Sequence, residues 1–283
     1  MALRARLGKY GLRSFALGYL GMLLLIPLVM IVIRAFDDGA AVAWESISNP
    51  DAIHAFKLTL LMVAIAVPLN TIFGIACALI LVRTNFRGKA FLNALIDIPF
   101  AISPVVIGLC LVLVYGVDGW LGQWFVDNGI QIIFSVPGMV IATIFVSLPF
   151  VVREVVPVLQ EIGDDQEQAA RTLGAGGWQT FWRVTLPSIR WGVTYGVVLA
   201  TARALGEFGA VAVVSGRITG ETQTLPLYVQ QEFNNFNVAG AYTAALVLAL
   251  LALVALVGMN LIRRRDSSVI APSTPATGKE TAA

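Results

Sequence analysis

Charge is scarce in this chain: only 13 % of its 283 residues are Asp, Glu, Lys or Arg. Soluble domains carry about 25 %, so this sequence has too little charge to cover a water-facing surface. Histidine occurs once, at His54, which leaves no H-E-x-x-H pair and no Ser–His couple for an intramembrane hydrolase. His54 falls outside the apolar runs and reads as a surface residue, not a metal ligand. The two cysteines, Cys77 and Cys110, sit inside apolar runs and read as small apolar fillers, with no metal site or disulfide framework. A net charge of +2 is too small to draw the chain to nucleic acid. A phosphate loop is missing as well: Gly88-Lys89 is followed by Ala90 and lacks the upstream glycine, so the chain alone does not hydrolyse ATP. No internal repeat of the kind seen in many gradient-driven transporters is evident, which argues against a secondary anion transporter.

What the chain has is apolar length, with 58 % hydrophobic residues. A bilayer core needs roughly 20 apolar residues in helical form, and helix is required because lipid offers backbone N–H and C=O groups no partner. Six runs qualify, at 14–36, 58–82, 94–116, 132–152, 188–214 and 240–262. The first follows a basic N-terminus but is too long for a signal-peptide core and shows no small-residue cleavage site, so it reads as a span. The fold class expected is all-α, a polytopic membrane protein with six transmembrane helices.

Orientation follows from Lys and Arg in the loops. Arg4, Arg6, Lys9, Arg13, Arg83, Arg87, Lys89, Arg153, Arg171, Arg183, Arg190, Arg263, Arg264 and Arg265 fall on one side, against Lys57 and Arg217 on the other. Both termini and the loop at 163–187 are therefore expected in the cytoplasm. Residues 1–54 read as an N-terminal segment with the first span and an outer loop, and 55–262 as the core. Residues 263–283, rich in Pro, Ser, Thr and Ala, bury too little apolar surface to offset ordering entropy and read as a disordered tail.

The polar insert at 163–187 is the most informative stretch, because a protein that only crosses lipid has no need of it. Asp164 and Asp165 can cap a helix, with Glu167 or Gln168 reaching back. Ala169, Ala170 and Leu173 then share one side. Gly174 is placed to stop the helix, Gly176 and Gly177 extend the break, and 178–185 forms a second amphipathic stretch with Phe181, Trp182 and Val184. Pro187 opens the next span, where a missing N–H costs nothing. Two readings compete: an interfacial helix anchored by Trp178 and Trp182, or a docking element for a cytoplasmic protein.

A family resemblance favours docking. Permeases of ATP-binding-cassette importers carry E-A-A, three residues, G, nine residues, I, one residue, L-P. Here Gln168-Ala169-Ala170 is followed at that spacing by Gly174, Val184 and Leu186-Pro187, with Gln168 for Glu, Glu167 beside it, and Val184 for Ile. Further on, Ala202-Arg203-Ala204-Leu205-Gly206-Glu207-Phe208-Gly209, Val213-Val214-Ser215-Gly216 and Gly220-Glu221-Thr222-Gln223-Thr224-Leu225-Pro226 resemble the sulfate/thiosulfate importer permeases, most closely the W-type subunit of the pair. Molybdate permeases share the Arg-x-x-Gly-Glu-Phe-Gly stretch, so molybdate or tungstate stays open as the substrate.

The resemblance implies the type I importer permease fold in a bacterial inner membrane. It implies a coupling helix built from Glu167, Gln168, Ala169, Ala170, Gly174, Leu186 and Pro187. It implies a separate ATPase dimer that holds ATP and Mg, a second T-type permease, and an extracytoplasmic sulfate-binding protein. No cofactor is implied on this chain.

Within the fifth run Gly192, Gly196, Ala200 and Ala204 recur every four residues, a face that another helix can approach closely. Arg203 and Glu207 lie beside it, one turn apart. Intramembrane charges cost roughly 2.5–3.5 kcal/mol each on insertion scales, and pairing reduces that. The pair either locks helix packing or lines the pathway. Arg34 reads as a residue that snorkels to headgroups, Asp97 as a helix-end residue, and Pro68, Pro104, Pro149 and Pro157 as possible kinks.

Overall fold

The computed structural model describes residues 2–267, and among them all regular structure is helical. In chain order the helices are α1 (Ala2–Ala35), α2 (Ala40–Ser48), α3 (Pro50–Arg83), α4 (Lys89–Ala101), α5 (Pro104–Tyr115), α6 (Gly122–Asp127) and α7 (Val136–Ile162). After them come α8 (Asp165–Thr172), α9 (Gly177–Thr180), a π-turn (Phe181–Thr185), α10 (Leu186–Leu205), α11 (Gly209–Val214), α12 (Leu225–Asn234) and α13 (Val238–Ser267).

α3, α7 and α10 form the centre. Gly74 and Gly196 both face Val151: a Cβ on Gly74 would stand 2.6 Å from the Val151 side chain, and one on Gly196 2.9 Å from the Val151 Cα. A Cβ on Gly192 would stand 2.8 Å from the Glu154 carbonyl oxygen. The small-residue face of α10 thus meets α7 at Gly192 and Gly196, the close helix contact that its four-residue period predicts. α13 packs on α10 and α12, and α1 lies at the edge against α13, its large apolar side chains exposed for lipid or a partner to cover.

The six runs do not map one to one onto straight helices. By length and apolarity, four helices can cross a membrane, within Arg13–Ala35, Pro50–Arg83, Val136–Ile162 and Val238–Gly258. The run at 94–116 is an elbow, with α4 and α5 meeting at 114°. Pro104 explains it: the ring disfavours helical backbone at the preceding residue, and Ile102 and Ser103 are extended. The run at 188–214 is also divided, with α10 ending at Leu205 and α11 starting at Gly209. The two breaks abut, since a Cβ on Gly209 would lie 3.0 Å from Pro104 Cβ. Apolar length counts residues in lipid and is blind to such turns. Pro68, Pro149 and Pro157 lie inside helices that continue through them.

Other boundaries shift too. α7 runs past 152 to Ile162, so Arg153 belongs to that helix and not to the loop that follows. α13 continues to Ser267, so 263–267 extends the last helix, while the remaining residues expected to be a disordered tail, 268–283, lie outside the described residues.

Candidate coupling and translocation site

The loop at 163–187 forms a helix, a glycine reversal and a second helix. α8 ends in a Schellman motif: Ala175 N–H donates to the Ala170 carbonyl and Gly174 N–H to that of Arg171, both at 3.0 Å. Gly174 has φ +86°, a left-handed backbone that glycine adopts without steric cost. Widening of the turn at 181–185 is explained by Pro187, which cannot donate to the Arg183 carbonyl and would clash with it in an unbroken α-helix. Leu186 N–H reaches back to the Phe181 carbonyl instead.

The expected capping box is absent. Asp164 occupies the N-cap position, yet no side-chain cap is made there. Glu167 instead turns inward and is buried. Its carboxylate accepts from Arg83 Nε at 3.1 Å and Nη2 at 3.2 Å, and from the Thr185 hydroxyl at 2.9 Å. Arg83 also donates to the Leu159 and Gly163 carbonyls at 3.2 and 2.6 Å. One guanidinium thus ties the end of α3, the end of α7 and α8 together, which its planar fork of donors allows. The acidic group that the motif places at 168 stands one position earlier and faces the end of α3, while Gln168 is exposed.

An open groove of about 750 Å³ runs along the loop, with Ala169, Ala170 and Leu173 on one wall and Val184, Pro187 and Trp191 on the other. Small side chains at 169 and 170 keep it open. Leu173 is 89 % exposed and Trp178 75 %. Two large apolar side chains thus stand bare on the loop. Of the predicted coupling residues, the structure gathers Ala169, Ala170 and Pro187 around this groove. Glu167 and Leu186 lie behind or beneath it, and Gly174 lies at the turn.

At the second predicted site, Arg203 Nη1 and Glu207 Oε2 are 2.6 Å apart, close enough for an ion pair but misaligned for a hydrogen bond. The Glu207 side chain is 2 % exposed and that of Arg203 28 %. Glu207 lies in the break beyond α10, and its Oε1 accepts from Ala210 N–H at 2.9 Å. It therefore satisfies a free donor at the start of α11 as well as the charge of Arg203.

Several polar contacts escaped the sequence reading. Asp97 is not simply a helix-end residue: inside α4, it pairs with Arg153 of α7 through both carboxylate oxygens. Asn70 and Ser147, both buried, bond at 2.7 Å between α3 and α7. An asparagine in mid-run was the available signal, since polar groups in a bilayer need partners. Arg34 pairs locally with Asp37 at 3.0 Å, and no metal-ligating cluster exists among the described residues.

Residues 70–267 match the family described as binding-protein-dependent transport system inner membrane component. The chain is 55 % identical to the sulfate transport system permease protein CysW of Synechocystis sp., over 91 % of this chain and 93 % of that one. It is 48 % identical to CysW of Escherichia coli K12, over 91 % and 89 %, and 38 % identical to CysT of the same strain, over 86 % and 88 %. Among solved structures, a bacterial ABC transporter that imports the acidic polysaccharide alginate shares the fold with a TM-score of 0.78 at 19 % identity, over 93 % of this chain and 97 % of that one. The chain belongs to the family of binding-protein-dependent transport system inner membrane components.

Proposed function

We propose that this chain is the W-type membrane subunit of an ATP-driven sulfate or thiosulfate importer, and that its loop at 163–187 receives a separate ATPase. The observation that carries the reading is the loop itself: it bares Trp178 and an exposed groove lined by Leu173, and its inner side is fastened to the ends of α3 and α7 through Glu167 and Arg83. Substrate class and subunit type rest on similarity, 48–55 % to relatives named CysW against 38–40 % to relatives named CysT. The latter support a T-type partner permease. An alginate transporter solved with its loaded periplasmic protein supports delivery of the anion by a binding protein on the outer face. In this reading ATP-driven closure of the ATPase dimer moves the coupling helix, and the α3–α7–α10 centre carries that movement to the pathway.

The substrate test is uptake of labelled sulfate by cells dependent on this chain. Unlabelled sulfate and thiosulfate are expected to compete at equal excess and molybdate only weakly. Stronger competition by molybdate than by sulfate would replace the substrate with molybdate.

Orientation yields a separate prediction. In a background without Cys77 and Cys110, cysteines at exposed Ser48 and Asn128 are expected to react with an impermeant thiol reagent on intact cells, and one at Ser267 only after lysis. Labelling of Ser267 alone on intact cells would invert the topology.

A further inference from the structure

α3 is fastened at both ends. At one end Arg83 holds Glu167 of α8. At the other, the buried Thr59 hydroxyl accepts from Leu225 N–H, the first residue of α12, at 2.8 Å. Asn49, which caps α3 by accepting from Ala52 N–H at 2.7 Å, also donates to the Tyr228 hydroxyl of α12 at 2.8 Å. Burial raises the Tyr228 phenol pKa, with the Asn49 bond opposing and Glu232 and Asp51 adding to the rise, so the hydroxyl stays protonated and donates to the Ser46 carbonyl at 3.2 Å. Between these ends the Asn70–Ser147 bond and the close Gly74–Val151 contact hold α3 on α7. A helix of 34 residues is about 50 Å long at 1.5 Å per residue, enough to reach from one membrane face to the other.

We infer that α3 is a transmission rod between the ATPase-facing loop and the outer segment at α12, and that Arg83 is the positioning residue that engages it. The inference rests on the coupling role proposed for 163–187. Movement of α8 cannot leave α3 behind while Glu167, Gly163 and Leu159 share one guanidinium, because releasing it strands a partly buried carboxylate and a partly buried cation. With both termini inside, as the loop charges predict, the α12 end lies on the face where the binding protein would act. Coupling is reciprocal, so docking there is felt at α8 through the same rod.

The test uses the whole transporter in proteoliposomes, with this chain, its partner permease, the ATPase and sulfate-loaded binding protein. Basal hydrolysis, hydrolysis stimulated by the binding protein and sulfate imported per ATP are measured. Arg83→Gln is expected to keep basal hydrolysis, lose the stimulation and lower import per ATP about tenfold, within the range of one coupling interaction. Arg83→Lys is expected to be intermediate, because an ammonium pairs with Glu167 but lacks the fork that spans both carbonyls. Thr59→Val, at the far end, is expected to weaken stimulation while sparing basal hydrolysis.

If Arg83→Gln lowers yield but the recovered complex keeps the wild-type ratio, Arg83 only supports folding and the rod is refuted. Should Arg83→Gln give no complex, an unchanged ratio in Arg83→Lys refutes it equally. Gly174→Asp, run alongside, separates the two ideas. If it uncouples and Arg83→Gln does not, the rod alone fails. If Gly174→Asp is harmless, the coupling role of the loop fails first.

Discussion

Gly174→Asp is expected to leave the chain folded and in the membrane, at wild-type level, while anion uptake falls roughly 100-fold or more. The local cost of the change is small. Left-handed backbone at an ordinary residue costs about 1–2 kcal/mol, and Asp is among the residues that tolerate it best. A Cβ at Gly174 meets nothing within 4 Å in this chain. Any large loss must therefore arise where the loop meets something else. A clash or stranded carboxylate worth about 3 kcal/mol at that contact would reduce occupancy by roughly 100-fold. Membrane content by immunoblot, co-purification of the ATPase and sulfate uptake are the readouts. Normal uptake at normal expression would remove this loop from the transmission of force.

Glu207→Gln is expected to harm assembly more than Arg203→Gln and Glu207→Gln together. The glutamine retains an oxygen to accept from Ala210 N–H, so the start of α11 keeps its partner. What is lost is the counter-charge, leaving Arg203 uncompensated in a poorly solvated place. Breaking one side of a buried pair costs about 3–5 kcal/mol, and the 28 % exposure of Arg203 puts this case near the lower bound. The double variant removes both charges and the penalty with them. Reversal, Arg203→Glu with Glu207→Arg, is expected to lose more than the neutral pair, because Arg cannot accept the Ala210 N–H. Co-purification of the partner permease reports assembly, and uptake reports transport. If the double neutral variant assembles worst, each charge has another partner and the pairing is not what holds the break. If all variants assemble and only uptake falls, Arg203 and Glu207 belong to the pathway.

The sequence announced the helical class, because apolar runs of this length have no other stable form in lipid. Gly174 was legible for a similarly local reason, since it stands just past the end of α8, one residue beyond its cap. That α10 offers a face for close helix packing followed from the four-residue recurrence of Gly192, Gly196, Ala200 and Ala204; that α7 fills it did not. The elbows were hidden in windowed hydropathy, although Pro104 and Gly206 stood at the places where they form. Arg83 and Glu167 are 84 positions apart, and Asp97 and Arg153 are 56 apart. No periodicity joins such pairs. In the sequence Arg83 counts only as one more cytoplasmic cation, and Glu167 as a cap for its own helix and, by resemblance, a coupling residue. The tertiary fold brought a better donor to that carboxylate, and the local cap was not made.

This chain is proposed to move an oxyanion by means of an ATPase on a separate subunit. The most direct measurement is sulfate uptake into proteoliposomes holding the full complex, with loaded binding protein added to the outer face and ATP enclosed in the lumen. An ionophore is added to collapse every ion gradient. Uptake is expected to persist with enclosed ATP and to stop without it. Uptake that ignores ATP and vanishes with the gradients would contradict this proposal and make the chain a gradient-driven carrier.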